Sequence, residues 1–195
     1  MTAGPAALAL KDLHLRFDQT QVIRGISLAV HAGERVGIIG PNGAGKSSLL
    51  NLISGRYAPS AGQVLLHGKR IDGQSPHAIS RLGLSRSFQV TNLFPTLSVF
   101  ENLRCSVLGS LSYRYSMWRF LTGLSAVNAR SAEVMRLVQL EARAHVPAAN
   151  LSYAEQRALE IGLTVAGGAA VLLLDEPTAG MSRSETSHFT GLIRQ

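Results

Sequence analysis

The sequence is nearly devoid of cysteine: Cys105 is the only one in 195 residues, so no internal disulfide can form and nothing asks for an oxidising compartment, which points to the cytosol. Long apolar runs are missing too. No uncharged stretch exceeds 14 residues, and the one at 161–174 is broken by Gly162, Gly167 and Gly168, too short to cross a bilayer as a helix. Residues 1–10 are small and apolar but lack the basic flank of a secretory signal. Transition-metal spacing is absent as well. His14, His31, His67, His77, His145 and His188 never stand in an H-x-H or H-x-x-x-H pattern. There is no internal repeat, no low-complexity segment and no long coiled-coil insertion. Charge is scarce, at 16% of residues against 46% hydrophobic, which suits one substantial buried core or a core with an appended lobe. The charge present leans positive, 19 Lys and Arg against 12 Asp and Glu. That balance favours nucleotides, nucleic acids and anionic membrane surfaces without choosing among them.

Apolar residues alternate at Leu13, Leu15 and Phe17 and again at Ile26, Leu28 and Val30, which predicts two half-buried strands joined by the polar turn 18–21. Residues 36–39 are an apolar run without alternation, the pattern of a strand buried on both faces. A helix follows, with Leu49, Leu50, Leu52 and Ile53 as its inner face, Gly55 just past its end and Pro59 beyond. Residues 64–73 read as a hairpin, and Ser75-Pro76 opens a short helix ended near Gly83. From 98 to 140 the period is helical. Ser98 and Glu101 have capping-box spacing, and Val134, Leu137, Val138 and Leu140 recur on one face, so this stretch reads as an inserted helical lobe. Another helix is expected over 152–166, a second fully apolar strand over 171–174, and a last helix opened by Ser182 and Glu185 that shows no stop signal before Gln195.

Two motifs carry chemistry. Gly40-Pro41-Asn42-Gly43-Ala44-Gly45-Lys46-Ser47 has the form G-x-x-x-x-G-K-[ST] between a strand pattern and an amphipathic helix. Its glycines let backbone N–H groups converge on phosphate oxygens, Lys46 neutralises the β- and γ-phosphates, and Ser47 is a Mg²⁺ ligand, with Ser48 next in line at the helix start. The ligand expected is ATP with Mg²⁺. The second motif, Val171-Leu172-Leu173-Leu174-Asp175-Glu176, delivers a carboxylate pair from the end of an apolar strand. Asp175 is the metal-side candidate, and Glu176 would orient or deprotonate the attacking water. Tyr113, Tyr115, Trp118 and Phe120 beside Arg114 and Arg119 raise nucleic-acid stacking, but few basic residues accompany them, so partner docking or core packing is preferred and no nucleic-acid partner is expected.

Leu151-Ser152-Tyr153-Ala154-Glu155-Gln156, 24 residues before Asp175, resembles the signature motif of the ABC ATPases. The resemblance implies an α/β P-loop NTPase of the ABC ATPase type, with an antiparallel β subdomain and an inserted helical subdomain. Residues 1–97 and 168–195 would form the RecA-like core with the β subdomain, and about 98–167 the helical subdomain. It places Phe17 as the adenine-stacking aromatic, Gln89 as the Q-loop glutamine that serves both catalysis and metal, and Ala179-Gly180-Met181-Ser182 as the D-loop. Ser152 and Ala154 would bind ATP in trans, across a dimer with a second ATPase subunit. Glycine usually stands where Ala154 does. The family's H-loop histidine lies beyond a further helix-to-strand step that follows residue 195, so the chain is expected to be C-terminally truncated and to hydrolyse poorly as it stands.

Within the family, Ser152-Tyr153, the tract Arg86-Ser87-Phe88-Gln89 with Asn92-Leu93-Phe94 and Glu101-Asn102-Leu103, and Leu159-Glu160-Ile161 resemble branched-chain amino-acid importer ATPases. The partners implied are integral membrane permease subunits and, indirectly, a periplasmic or extracellular substrate-binding protein, with the chain at the cytoplasmic face of the membrane. Urea or short-amide importers have similar ATPases. The residues also admit a catalytically impaired nucleotide-binding fragment or a non-transport ABC ATPase.

Overall fold

The computed structural model describes residues 5–86, 93–110 and 120–193. The chain divides into two compact units, Met1–Arg86 with Ala170–Leu173, and Ser87–Ala169 with Leu174–Gln195.

In the first unit, β1 (Leu8–Phe17) and β2 (Thr20–Val30) make an antiparallel hairpin that extends through β3 (Ala61–Leu66) and β4 (Lys69–Arg70) into a sheet of order β2-β1-β3-β4. The buried residues of β1 change step along the strand: Leu8 and Leu10 point inward, then Leu13 and Leu15. One extra residue flips every later side chain to the other face. The register break between Leu10 and Leu13 supplies it, with Asp12 at φ 45° and its N–H donating to Ser27 Oγ at 3.0 Å. Phe17 departs from the expected inward alternation and is 44% exposed. Its pairing with Thr20 closes the hairpin beyond the core's edge.

Helix α1 (Lys46–Ile53) buries Leu49, Leu50, Leu52 and Ile53, as the spacing predicts. Eight residues are too few for a stable isolated helix. Each buried leucine or isoleucine contributes about 1.5–3 kcal/mol, so packing rather than propensity holds α1 in place. The hairpin expected over 64–73 forms from β3 and β4, and α2 (Pro76–Arg81) is capped by Ser75 Oγ, which accepts from the Ala78 N–H. β5 (Leu84–Arg86) and β6 (Val171–Leu173) pair in parallel, and Leu84 and Leu173 join the core that α1 and the four-stranded sheet cover.

Residues 36–39 do not form the expected buried strand. Val36 and Ile38 are exposed and Ile39 is 96% exposed, and among the described residues no strand pairs with them. An apolar run specifies burial only where strands lie beside it and helices cover it. The β1–β4 sheet and the β5–β6 pair both form without including it.

The second unit is helical. α3 (Val99–Ser110), α4 (Phe120–Leu137) and α5 (Tyr153–Ala166) pack together, and α6 (Arg183–Ile193) lies against α5. Two 3₁₀ turns, Glu141–Arg143 and Ala148–Asn150, join α4 to α5. α3 buries Val99, Leu103 and Val107 at four-residue spacing, and a methyl group on Gly162 of α5 would meet Leu103 Cδ2 at 3.2 Å and Val138 Cγ1 at 3.3 Å. The close helix approach needs that glycine. Val134, Val138 and Leu140 are buried as expected, whereas Leu137 is exposed. α4 ends at Leu137, and Gln139 at φ 56° turns the chain so that Leu140, not Leu137, reaches the interior. Among the described residues no helix is long and apolar enough to cross a membrane.

Candidate functional site

The loop at 40–47 turns at Pro41, whose carbonyl accepts from the Ala44 N–H at 3.2 Å, and enters α1 through Gly45. Gly43 and Gly45 have φ of 81° and 88°, a left-handed region closed to most side chains. No side chain caps α1 and its first turn has no acid, so its leading N–H groups and the positive end of its dipole are left for an anion. Lys46 is half-buried, and its Nζ donates to the carbonyls of Gly40 at 2.7 Å and Pro41 at 2.8 Å. The ammonium is thereby held over the loop where phosphate oxygens would compete for the same protons. Pro41, Asn42 and Ala44 are exposed, and Ser48 is half-buried in the first turn.

Register brings Phe17 toward this loop. A Cβ on Gly45 would lie 3.2 Å from Ile23 Cδ1 on β2, and Ile23 pairs with Leu15. Phe17 is two residues on, about 7 Å along β1. Its ring meets Tyr57 edge to face, with centroids 5.3 Å apart at 84°. The pair forms an exposed aromatic corner that a planar base can stack on. Tyr57 left no signal in the sequence, since nothing in its local pattern marks it as Phe17's partner.

Ser152 caps α5, its Oγ accepting from the Glu155 N–H at 3.3 Å while Glu155 Oε2 accepts from the Ser152 N–H at 2.8 Å. Glu155 Oε1 also takes a hydrogen bond from Arg143 Nε at 2.7 Å. Burial opposes ionisation of Glu155, but the Ser152 N–H, the Arg143 guanidinium and the Ser152 hydroxyl outweigh it and hold its pKa below the usual carboxylate value. Ala154 is the second residue of α5 and fully helical, so alanine costs the backbone nothing there. The structure brings the start of α5 and the segment 179–182 together: a Cβ on Gly180 would lie 3.6 Å from the Tyr153 ring. Ser182 then opens α6 with the expected capping box, accepting from the Glu185 N–H at 3.3 Å.

Asp175 is half-buried two residues after β6, and Glu176 is exposed with φ 45°. A non-glycine residue held in that region is strained, and such strain gathers at functional turns. Gln89 lies outside the described residues, as do Tyr113, Tyr115 and Trp118. Each unit, taken by itself, holds an oxygen donor of the kind magnesium takes. The Ser47 hydroxyl is exposed and bonds to no described residue, Asp175 supplies a carboxylate, and no group of three or more His, Cys, Asp or Glu forms a cage among the described residues. One or two protein oxygens with nucleotide phosphates completing the shell is the arrangement magnesium favours.

Sequence spacing did not single out two further features. Asn102 on α3 is fully buried, its Nδ2 donating to the carbonyls of Phe94, Leu97 and Ser98 and its Oδ1 accepting from the Phe94 N–H, which fastens the exposed segment 94–97. On α5, Arg157 joins the Tyr153 hydroxyl to Glu160, with Nη2 2.9 Å from the former and Nη1 2.7 Å from the latter. The i, i+3 spacing of Arg157 and Glu160 was visible in the sequence, but not their burial.

The family model for ABC transporter matches residues 23–179. The chain is 33% identical over 193 residues to LivG, the high-affinity branched-chain amino acid transport ATP-binding protein of Escherichia coli K12, across 96% of this chain and 76% of LivG. It is 36% identical over 192 residues to the ribose import ATP-binding protein RbsA 2 of Streptomyces avermitilis, across 98% of this chain and 37% of RbsA 2. CbiO1 of Clostridium perfringens, part of an ABC transporter complex, shares the fold with a TM-score of 0.82 and 24% identity over 98% of this chain and 73% of that one.

Proposed function

The chain belongs to the ABC transporter family of ATP-hydrolysing cassettes, and from that premise we propose that it energises the uptake of branched-chain amino acids. The observation that carries the reading is the uncapped helix α1 behind the left-handed glycines 43 and 45, with the Lys46 ammonium held over the loop. The likeness to LivG along nearly the whole chain supports this substrate.

In this reading the N–H groups at 43–48 and Lys46 bind the phosphates of ATP, and Phe17 stacks on the adenine. Ser47, Asp175 and Gln89 would hold Mg²⁺, which when bound would supply positive charge against the phosphates. Glu176 orients the attacking water and accepts its proton. Ser152 and Ala154 offer the N-terminus of α5 to the γ-phosphate bound by a second copy of the cassette or a related subunit. ATP therefore closes the dimer and hydrolysis reopens it. Residues 98–167 serve as the helical subdomain, and residues 1–97 with 168–195 as the nucleotide-binding core. The dimer works against integral membrane permease subunits at the cytoplasmic face, fed by a substrate-binding protein.

The 36% identity to RbsA 2 favours a second reading, ribose import by the same chemistry. Uptake of labelled leucine and labelled ribose, in cells with and without the gene, separates the two. Loss of leucine uptake alone supports the first reading, and unchanged leucine uptake refutes it.

A further inference from the structure

Arg86 is the last residue of β5, and its Nη1 donates to the Asn51 Oδ1 of α1 in a partly buried hydrogen bond spanning 35 residues of sequence. Asn51 is itself fixed: its carbonyl accepts the N–H groups of Arg56 at 2.9 Å and Tyr57 at 3.2 Å, tying down the end of α1 whose beginning carries Lys46 and Ser47. Arg86 also pairs with Leu173 in the β5–β6 ladder. Along the chain, Gln89 follows Arg86 by three residues and Asp175 follows Leu173 by two. That hydrogen bond joins α1, the helix proposed to grip the phosphates, to the β5–β6 strand pair.

We infer that Arg86 and Asn51 are a positioning pair, which sets the end of β5, and with it the paired strand β6, in register with the phosphate-binding helix. The inference rests on the ATPase reading above. Hydrogen bonds to charged donors are stronger and more directional than neutral ones, and a bond between an amide anchored in a helix and a guanidinium anchored in a strand resists sliding of one past the other. Phosphoryl transfer depends almost wholly on positioning, and a misplacement of about 1 Å costs up to about a hundredfold in rate. Phosphate binding itself uses the loop and Lys46, which lie at the other end of α1, so affinity for ATP is expected to survive loss of the pair.

The test is single-turnover hydrolysis of labelled ATP by excess protein, with ATP affinity measured calorimetrically with and without Mg²⁺. Asn51→Leu is expected to slow hydrolysis about tenfold while ATP affinity without Mg²⁺ stays within about twofold, and to raise the Mg²⁺ concentration at half-saturation. Asn51→Asp keeps an acceptor for Arg86 and is expected within about twofold of the parent in both readouts. Arg86→Lys, which keeps the charge and loses the fixed fork, is expected between the two and serves if Asn51→Leu does not fold. An active parent whose Asn51→Leu and Arg86→Lys variants hydrolyse ATP at the parental rate overturns the inference alone. So does an Asn51→Asp variant no better than Asn51→Leu, or a loss that follows ATP affinity. A parent that binds no ATP overturns the functional reading and this inference together.

Discussion

Replacing Arg157 by methionine tests whether helix α5 is anchored by a buried ion pair. Arg157 Nη1 lies 2.7 Å from Glu160 Oε2, with the two side chains only 13% and 10% exposed, and Glu160 Oε1 is buried with no hydrogen-bond partner among the described residues. The guanidinium also sits 5.2 Å from the Tyr153 ring centroid, and Nη2 donates to its hydroxyl. Methionine keeps much of the stem's packing but leaves a carboxylate buried without its cation. Breaking one side of such a pair costs about 3–5 kcal/mol; because a tenth of each side chain still reaches water, the lower end, about 3 kcal/mol, applies. For a chain of this size, 1 kcal/mol moves the melting temperature by about 2–4 °C, so a drop of about 6–12 °C is expected by circular dichroism. The double variant Arg157→Met/Glu160→Leu removes both charges and is expected within about 1 kcal/mol of the parent, a coupling of about 2 kcal/mol or more. A single variant that melts within about 2 °C of the parent refutes the reasoning. So does a double variant at least as unstable as the single.

Lys46→Ala is expected to remove measurable ATP binding, since the loop loses its only ammonium; calorimetry giving an affinity within threefold of the parent would contradict the role. Glu176→Gln is expected to keep ATP binding and cut hydrolysis by about a hundredfold or more, trapping a dimer visible by light scattering, and unchanged turnover would sink the general-base assignment. Ala154→Gly places glycine in the first turn of α5, where alanine is already helical, so the ATPase rate is expected to change less than tenfold. Glu155 ionises below the usual carboxylate range in the folded chain, so its contribution is present above its unfolded pKa and is lost as pH falls through the lowered value. Melting temperatures of Glu155→Gln are therefore expected to converge on the parent's below about pH 4 and to lie under them at about pH 6.

Local chemistry was legible residue by residue. Ser75, Ser98, Ser152 and Ser182 were each readable as helix starts because a capping hydroxyl and its helix are neighbours in sequence, and all four cap their helices. The four buried residues of α1 and the turn of the β1–β2 hairpin were legible for the same reason. Longer-range relations were not. The pairing of Arg86 with Asn51, of Phe17 with Tyr57 and of Asn102 with three carbonyls depends on which elements meet, and no spacing along the chain encodes that. The step change within β1 was hidden too, because a bulge lets two sets of leucines of opposite parity face one core, and alternation alone sees only one set.

Residues 36–39 show where pattern reading has to give way to tertiary physics. Their composition carries a demand for burial on both faces, and that demand is physically real: an isoleucine 96% exposed forfeits about 1.5–3 kcal/mol that burial would contribute. What composition does not carry is the identity of the strands that meet the demand. The β1–β4 sheet forms through hairpins whose partners lie close in sequence, and β5 and β6 find each other across the chain because Leu84 and Leu173 share one core. An apolar run placed between those two sets, beside a loop that must stay open to phosphate, has no such neighbour among the described residues. Its exposure is thus a property of pairing, which depends on company, and not of the residues themselves. The loop that follows forms regardless, because its glycines, its lysine and the uncapped helix behind it draw their geometry from contacts within α1 and β2.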